Sequence, residues 1–344
     1  MLATLIGNNP AKELLKRLIN AGRVPNALLF AGPDGVGKRE FALQLARAFV
    51  CQAPKDLEGC DECPACTRAG RFAFPKPDDK DGHKKVILSD HPDVGMVIPY
   101  NRNILVDAIR ELEKESYFRP YEAKARFFII EDADKMNDAA SNALLKTLEE
   151  PASTSHIILI SSRPDSLLQT IRSRCQTIRF APVGAYQIEE FLKTTKKFSF
   201  DDARLAAKLS AGSVGRALAT DVEKFRIQRD VMTGVLQNLL TKNDRASLLR
   251  AAEEMNDAKN KEFYEHNLDI LLSLIRDVWT LGLGGDVENI VNADLGSQLK
   301  QLSEKAEPQK LSGWINEIEL LRESFAVNIN KKVATDALFM QMAA

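Results

Sequence analysis

Ala27-Leu28-Leu29-Phe30-Ala31-Gly32-Pro33-Asp34-Gly35-Val36-Gly37-Lys38-Arg39 is the stretch whose reading decides the fold. A short apolar run ends in a glycine-rich turn. Beyond the turn, Phe41, Leu45 and Phe49 form one stripe with Ala42, Ala46 and Val50 beside it, the spacing of an amphipathic helix. Strand, glycine turn and helix in this order are what a phosphate-binding P-loop requires. Gly32, Gly35 and Gly37 let backbone N–H groups curl around a phosphate. The helix N-terminus adds partial positive charge, and Lys38 supplies a full one.

The residue after Lys38 is the exception. A metal-using P-loop places Ser or Thr there, and its hydroxyl holds Mg²⁺. Here it is Arg39, which offers no lone pair and adds a repelling charge. Nucleotide could still bind through the backbone and Lys38, but Mg²⁺-assisted hydrolysis should be badly impaired. Alternatively Arg39 lies on the helix surface beside a loop that binds nothing.

A second half-site follows the apolar run Phe127-Phe128-Ile129-Ile130, where Glu131-Asp132 ends a buried strand. A working P-loop ATPase of this type wants Asp first, for Mg²⁺ through water, and Glu second, to polarise the attacking water. The order here is reversed, and Asp132 is one methylene shorter than the usual catalytic carboxylate. Both departures point to a weak or dead ATPase.

Around these motifs the first half alternates strand-like and helix-like segments, the pattern of an α/β fold with a mostly parallel sheet. Val94 to Ile98, Ile157 to Ile160 and Thr177 to Phe180 read as further strands. Ile104, Ala108 and Leu112 mark a helix, and Asn142 to Glu150 another that Pro151 stops. The stretch from about Phe72 to Lys85, rich in Pro, Asp and Lys, reads as a polar loop. Beyond Pro182 the strand-like runs disappear and the periodicity is helical. The expected division is therefore 1–182, 183–222 and 223–344.

Cys51, Cys60, Cys63 and Cys66 offer four thiolates, enough to close a tetrahedral all-sulfur shell. Soft sulfur ligands select Zn²⁺ or an Fe–S cluster. Zinc is favoured, because nothing else in the sequence suggests redox chemistry. With all four positions taken by protein, the metal would be structural. The competing reading is a pair of redox C-x-x-C motifs. The fifth cysteine, Cys175, is expected to be a small buried hydrophobe.

The chain has 344 residues, 44% hydrophobic and 28% charged, with a formal net charge of −1. That length predicts two or three domains, and that charge argues against coating DNA by bulk electrostatics. No apolar run approaches a membrane span, and the N-terminus shows no secretory pattern. Four crowded cysteines in an odd total fit a reducing cytosol better than a disulfide framework.

Together these features resemble the bacterial clamp-loader family, the gamma/tau and delta prime subunits of DNA polymerase III. The family carries a zinc module of this cysteine spacing after its P-loop helix. Asn142-Ala143-Leu144-Leu145-Lys146-Thr147-Leu148-Glu149-Glu150-Pro151 looks like its signature helix, and Ser173-Arg174-Cys175 matches its SRC motif. The resemblance implies a RecA-like AAA+ P-loop domain, a small helical lid and an all-α collar that holds five subunits in a ring. It implies partners too: gamma/tau and delta subunits, the sliding clamp, and primer-template DNA through the assembly.

The same resemblance makes Arg174 an arginine finger for a neighbouring subunit's ATP site and puts sensor 1 at Ser161-Ser162. Sensor 2 would be an Arg following Gly-Ser-x, but Gly212-Ser213-Val214 is followed by Gly215, with Arg216 one place late. One residue on a helix turns a side chain by about 100°, so Arg216 should miss the nucleotide. The missing hydroxyl, swapped carboxylates and displaced sensor suit the stator-like delta prime branch better than the gamma/tau motor. The run Phe325 to Asn330 before a last apolar helix looks like the end of that branch's collar. The alternatives are a motor with an atypical P-loop, and a zinc-bearing P-loop protein unrelated to replication.

Overall fold

The structure is a computed structural model and describes residues 2–196, 198–257, 263–326 and 329–344. Residues 327 and 328, within the C-terminal run 325–330, lie outside the described residues. In chain order the first half contains α1 (Asn9–Asn20), β1 (Ala27–Ala31), α2 (Lys38–Val50), α3 (Pro64–Ala69), β2 (Ile87–Leu88) and β3 (Val94–Val97). It continues with α4 (Val106–Ser116), β4 (Arg126–Ile130), α5 (Asp138–Glu149), β5 (Ser155–Ser161), α6 (Gln169–Arg172) and β6 (Gln176–Arg179). Two differences from the sequence reading have local causes. Helix α5 starts four residues before Asn142 because the Asn137 side chain accepts from the Ala140 N–H at 3.0 Å. The 72–85 stretch contains a single 3₁₀ turn at Gly82–Lys84.

The six strands form one sheet in the order β2-β3-β4-β5-β1-β6, all parallel except β2, which pairs antiparallel with β3. Strands β1, β4 and β5 are buried along their whole length, as strands covered on both faces must be. Alternation within them feeds two cores. On one face Phe30, Phe127 and Ile129 pack with Leu15, Phe41 and Leu45 of α1 and α2. On the other, Leu29, Phe128 and Ile130 pack with Ile109, Leu112 and Leu144 of α4 and α5. Phe127 to Ile130 are all at 0% exposure, so each contributes roughly 1.5–3 kcal/mol of burial.

The second half is helical: α7 (Ala185–Lys196), α8 (Phe200–Leu209), α9 (Val214–Ala219), α10 (Val222–Gln237), α11 (Arg245–Asn256), α12 (Tyr264–Gly282), α13 (Gly296–Ser303), α14 (Pro308–Glu323) and α15 (Lys331–Met342). The chain divides into two compact units, Met1–Lys197 with Ser210–Leu218, and Phe198–Leu209 with Ala219–Ala344. Within the second unit α12 is the central helix, with Leu268, Leu271, Leu274, Ile275 and Val278 all fully buried. The buried Asp277 carboxylate accepts from the Val291 and Asn292 N–H groups at 2.9 and 2.8 Å, fixing the turn before α13. Arg229 makes a two-pronged pair with Asp294. No described helix is long and apolar enough to cross a membrane.

Candidate functional site

Because β1, β4 and β5 are parallel, their C-terminal ends share one edge of the sheet. The glycine loop after β1, the carboxylates after β4 and the serines at the end of β5 therefore converge, at the place where open α/β sheets take their ligands. They border a cavity of about 860 Å³ within the first unit. Gly35 and Gly37 hold φ of 73° and 99°, a left-handed backbone that glycine adopts without strain. Gly35 is also closely covered, since its carbonyl accepts from the Gly215 N–H at 2.8 Å.

Lys38 opens α2 and its side chain is 5% exposed. Its ammonium donates to the carbonyls of Gly32 and Pro33 at 2.6 and 2.7 Å, which ties the loop's start to its end. Burial lowers its pKa, opposed by the carboxylates of Asp34, Asp132 and Glu131.

Arg39 turns toward the carboxylates. Its Nε donates to Glu131 Oε1 at 2.6 Å, and the guanidinium lies 5.7 Å from the centre of the Phe74 ring. Asp132 is paired with Lys135 at 2.8 Å. Asp134, which the sequence reading passed over, is 3% exposed. It accepts from Ser161 Oγ at 2.8 Å and from Arg163 Nη2 at 3.0 Å. Burial pushes the Asp134 carboxyl up, but those two donors, with the backbone N–H groups of Asp134 and Ser162, outweigh it and hold the carboxyl below its ordinary range. The two serines thus separate. Ser162 lines the cavity, whereas Ser161 is fully buried and bonded to Asp134. Val214, Gly215 and Leu218 also line it, and Arg216 is not among the lining residues.

Arg174 stands at the other edge of the sheet. It precedes β6, whose Gln176 is level with Leu28 near the start of β1, so roughly 13 Å of strand separates it from the glycine loop. Its Nη1 donates to the Thr170 carbonyl at 2.9 Å and its Nη2 to Glu149 at 2.7 Å. Arg174 borders a separate cavity of about 460 Å³ with Asn26, Leu148, Pro151 and Cys175. Cys175 packs, partly buried, against the α4–α5 core, and burial pushes its thiol up to about 11.

The four clustered cysteines come together between α2 and α3. Their sulfurs all lie within 4.8 Å of one another, and Cys51 and Cys63 are 3.9 Å apart. A tetrahedral ion with Zn–S bonds of about 2.3 Å needs sulfur–sulfur edges of about 3.8 Å, so the set fits such an ion. Backbone N–H groups of Cys60, Cys63 and Cys66 donate to the sulfurs of Cys51, Cys60 and Cys63 at 3.3 to 3.4 Å. Burial opposes ionisation of Cys63, but the N–H groups of Cys66 and Gln52 prevail and bring it down to about 6. Burial pushes the Cys51 and Cys66 thiols up. Arg47 of α2 holds the module through Asp61 at 3.3 Å, and Glu58 accepts from the Leu2 N–H at 2.8 Å.

A glycine loop on the second-last strand of a 2-3-4-5-1-6 sheet, with the acidic strand β4 separated from it by β5, defines a P-loop α/β protein. A family model described as DNA polymerase III, delta subunit, matches residues 7–78 and 75–184, and its C-terminal counterpart matches 228–341. The chain belongs to this family, as one of the delta prime clamp-loader subunits. It is 28% identical over 330 residues to DNA polymerase III subunit delta' of Bacillus subtilis (strain 168), covering 96% of this chain and 94% of that protein. To the Escherichia coli (strain K12) subunit delta' it is 28% identical over 337 residues, 97% of this chain and 93% of that one. Likeness to the gamma/tau subunit of Mycobacterium tuberculosis is 31% over 172 residues, 50% of this chain and 27% of that protein.

Proposed function

We propose that this chain is a non-motor, stator-like subunit of the replicative clamp loader, within the DNA polymerase III holoenzyme. It braces a ring of five with gamma/tau and delta subunits, and so helps load the sliding clamp on primed DNA. Its own ATP site is degenerate, and it donates Arg174 to a neighbour's. The observation that carries the reading is the bond between Arg39 and Glu131, which sets a guanidinium where a working site needs a metal. The placement of Arg174 supports the second half. From the far edge of the sheet it has no reach to this chain's own cavity, so a phosphoryl group it stabilises must belong to another subunit.

The same proposal includes a structural Zn²⁺ on Cys51, Cys60, Cys63 and Cys66, a cytoplasmic location, and the division into P-loop domain (1–182), lid (183–222) and collar (223–344). The sulfur spacing supports the zinc. The discriminating experiment is ATP hydrolysis by the purified chain alone. The stator reading expects no Mg²⁺-dependent turnover, and clear turnover would make the chain a gamma/tau-like motor instead.

A further inference from the structure

The cavity at the glycine loop is open, yet it does not fit the metal that such cavities use. Mg²⁺ takes six oxygen ligands in near-ideal octahedral geometry, drawn from carboxylates, hydroxyls, phosphates and water. Arg39 supplies none. Five carboxylates line the cavity; Asp34 is exposed, 4.0 Å from Lys38, Glu40 lies on the first turn of α2, and the three that follow β4 are each matched by a cationic side chain. Glu131 holds Arg39 at 2.6 Å, Asp132 holds Lys135 at 2.8 Å, and Asp134 holds Arg163 at 3.0 Å. A divalent ion would have to displace one of these cations and then sit beside it.

The groups that would meet a phosphate are nevertheless in place. Helix α2 runs for 13 residues, and its N-cap Gly37 has no side chain to satisfy the first-turn N–H groups. The Lys38 ammonium bonds to two loop carbonyls, which leaves one of its three protons. The Arg39 side chain is 44% exposed and lines the cavity, and only its Nε is bonded within the protein. Its two Nη groups have no hydrogen-bond partner among the described residues. Its Nε bond to Glu131 and the Phe74 ring fix the guanidinium plane, so these donors are held ready.

We infer that the cavity binds a metal-free polyphosphate, such as the triphosphate of ATP without Mg²⁺, with the Arg39 guanidinium on Glu131 serving as a built-in replacement for the divalent ion. The inference rests on the reading of this cavity as a degenerate nucleotide site and gives that site its ligand class. Binding would be a static property of this subunit, because the Glu131 and Asp132 carboxylates, which would serve a metal and an attacking water, are both held by cations.

The test is calorimetric titration of ATP into the full-length chain, once in EDTA and once in excess MgCl₂. ATP should bind in EDTA at least as tightly as in MgCl₂. Arg39→Ser should weaken binding in EDTA by about tenfold or more, the scale of a charge-assisted bond to phosphate. The same variant should bind more tightly when Mg²⁺ is added, since a hydroxyl and a freed Glu131 now await the metal. If Arg39→Ser does not fold, Arg39→Gln removes the charge at similar size and is read in EDTA in the same way. No binding in either buffer overturns the inference, as does binding that requires Mg²⁺, or EDTA binding unchanged in the variant. None of these outcomes touches the Arg174 donation, which is read in the assembly.

Discussion

The Nη2 of Arg174 donates to the Glu149 carboxylate at 2.7 Å, and the bond ties the residue two before β6 to the last residue of α5. Both side chains are partly exposed, at 34% and 50%. An exposed pair of this kind contributes about 0–1 kcal/mol. Under the proposed finger role, the pair would be a resting place for the guanidinium and not a support of the fold. Glu149→Gln should change the urea unfolding free energy by less than about 1 kcal/mol, with assembly ATPase retained because Arg174 remains free to reach a neighbour. A loss of more than about 2 kcal/mol would mark the pair as structural and count against its being a resting position.

Metal analysis of the intact chain should give about one zinc ion per chain, and Cys60→Ser with Cys63→Ser should release it. The sheet should survive, because its cores are built mainly from the strands with α1, α2, α4 and α5, to which the module adds Ala69 of α3. A chain purified without metal would refute the all-sulfur site, and iron with visible absorbance would replace zinc by a cluster.

Asp93 and Arg126 lie 3.6 Å apart with both side chains at 0% exposure. The Asp93 carboxylate also accepts from the N–H groups of Tyr121, Glu122 and Ala123 at 2.8 to 2.9 Å, so it fixes the loop that feeds β4. Removing one member of such a pair leaves a buried charge uncompensated, at about 3–5 kcal/mol. Asp93→Ala should cost that much in chemical unfolding. A cost under about 1 kcal/mol would show that Glu115, which also bonds Arg126, suffices alone.

Burial lowers the pKa of His91, His156 and His266 from 6.5, the value they regain on unfolding. The unfolded chain then binds more protons than the folded one below about 6.5, so stability rises with pH in that window and falls as pH drops through it. Unfolding free energy should be lower near pH 5.5 than near pH 7.5. His156 stacks on Phe127 with centroids 4.8 Å apart, and His156→Gln should flatten the dependence. A stability that rises on acidification would contradict the assignment.

Features set by neighbours in sequence were legible. The run Phe127 to Ile130 announces a buried strand, its next residues lie at the site edge, and the four cysteines sit close enough in the chain to imply one cluster. Features set by the sheet order were not. Arg39 and Glu131 are 92 residues apart, and nothing local predicts that the guanidinium meets that carboxylate rather than lying on the helix surface. Asp134 carries no motif of its own, and only β5 beside β4 reveals it as the partner of Ser161 and Arg163. Helix α1 carries a signal, Ala11, Leu15 and Ile19 at intervals of four, but the stretch bears no chemistry.

The most direct measurement is ATP turnover by the reconstituted clamp loader carrying Arg174→Ala, with assembly monitored by size-exclusion chromatography. An arginine finger is worth roughly 10³-fold or more at the site it serves. The assembly should stay intact while its turnover falls by the share of that site. Arg174→Lys should fail to restore it, because an ammonium lacks the planar fork. Undiminished turnover in a correctly assembled Arg174→Ala complex would rule out the arginine-finger role.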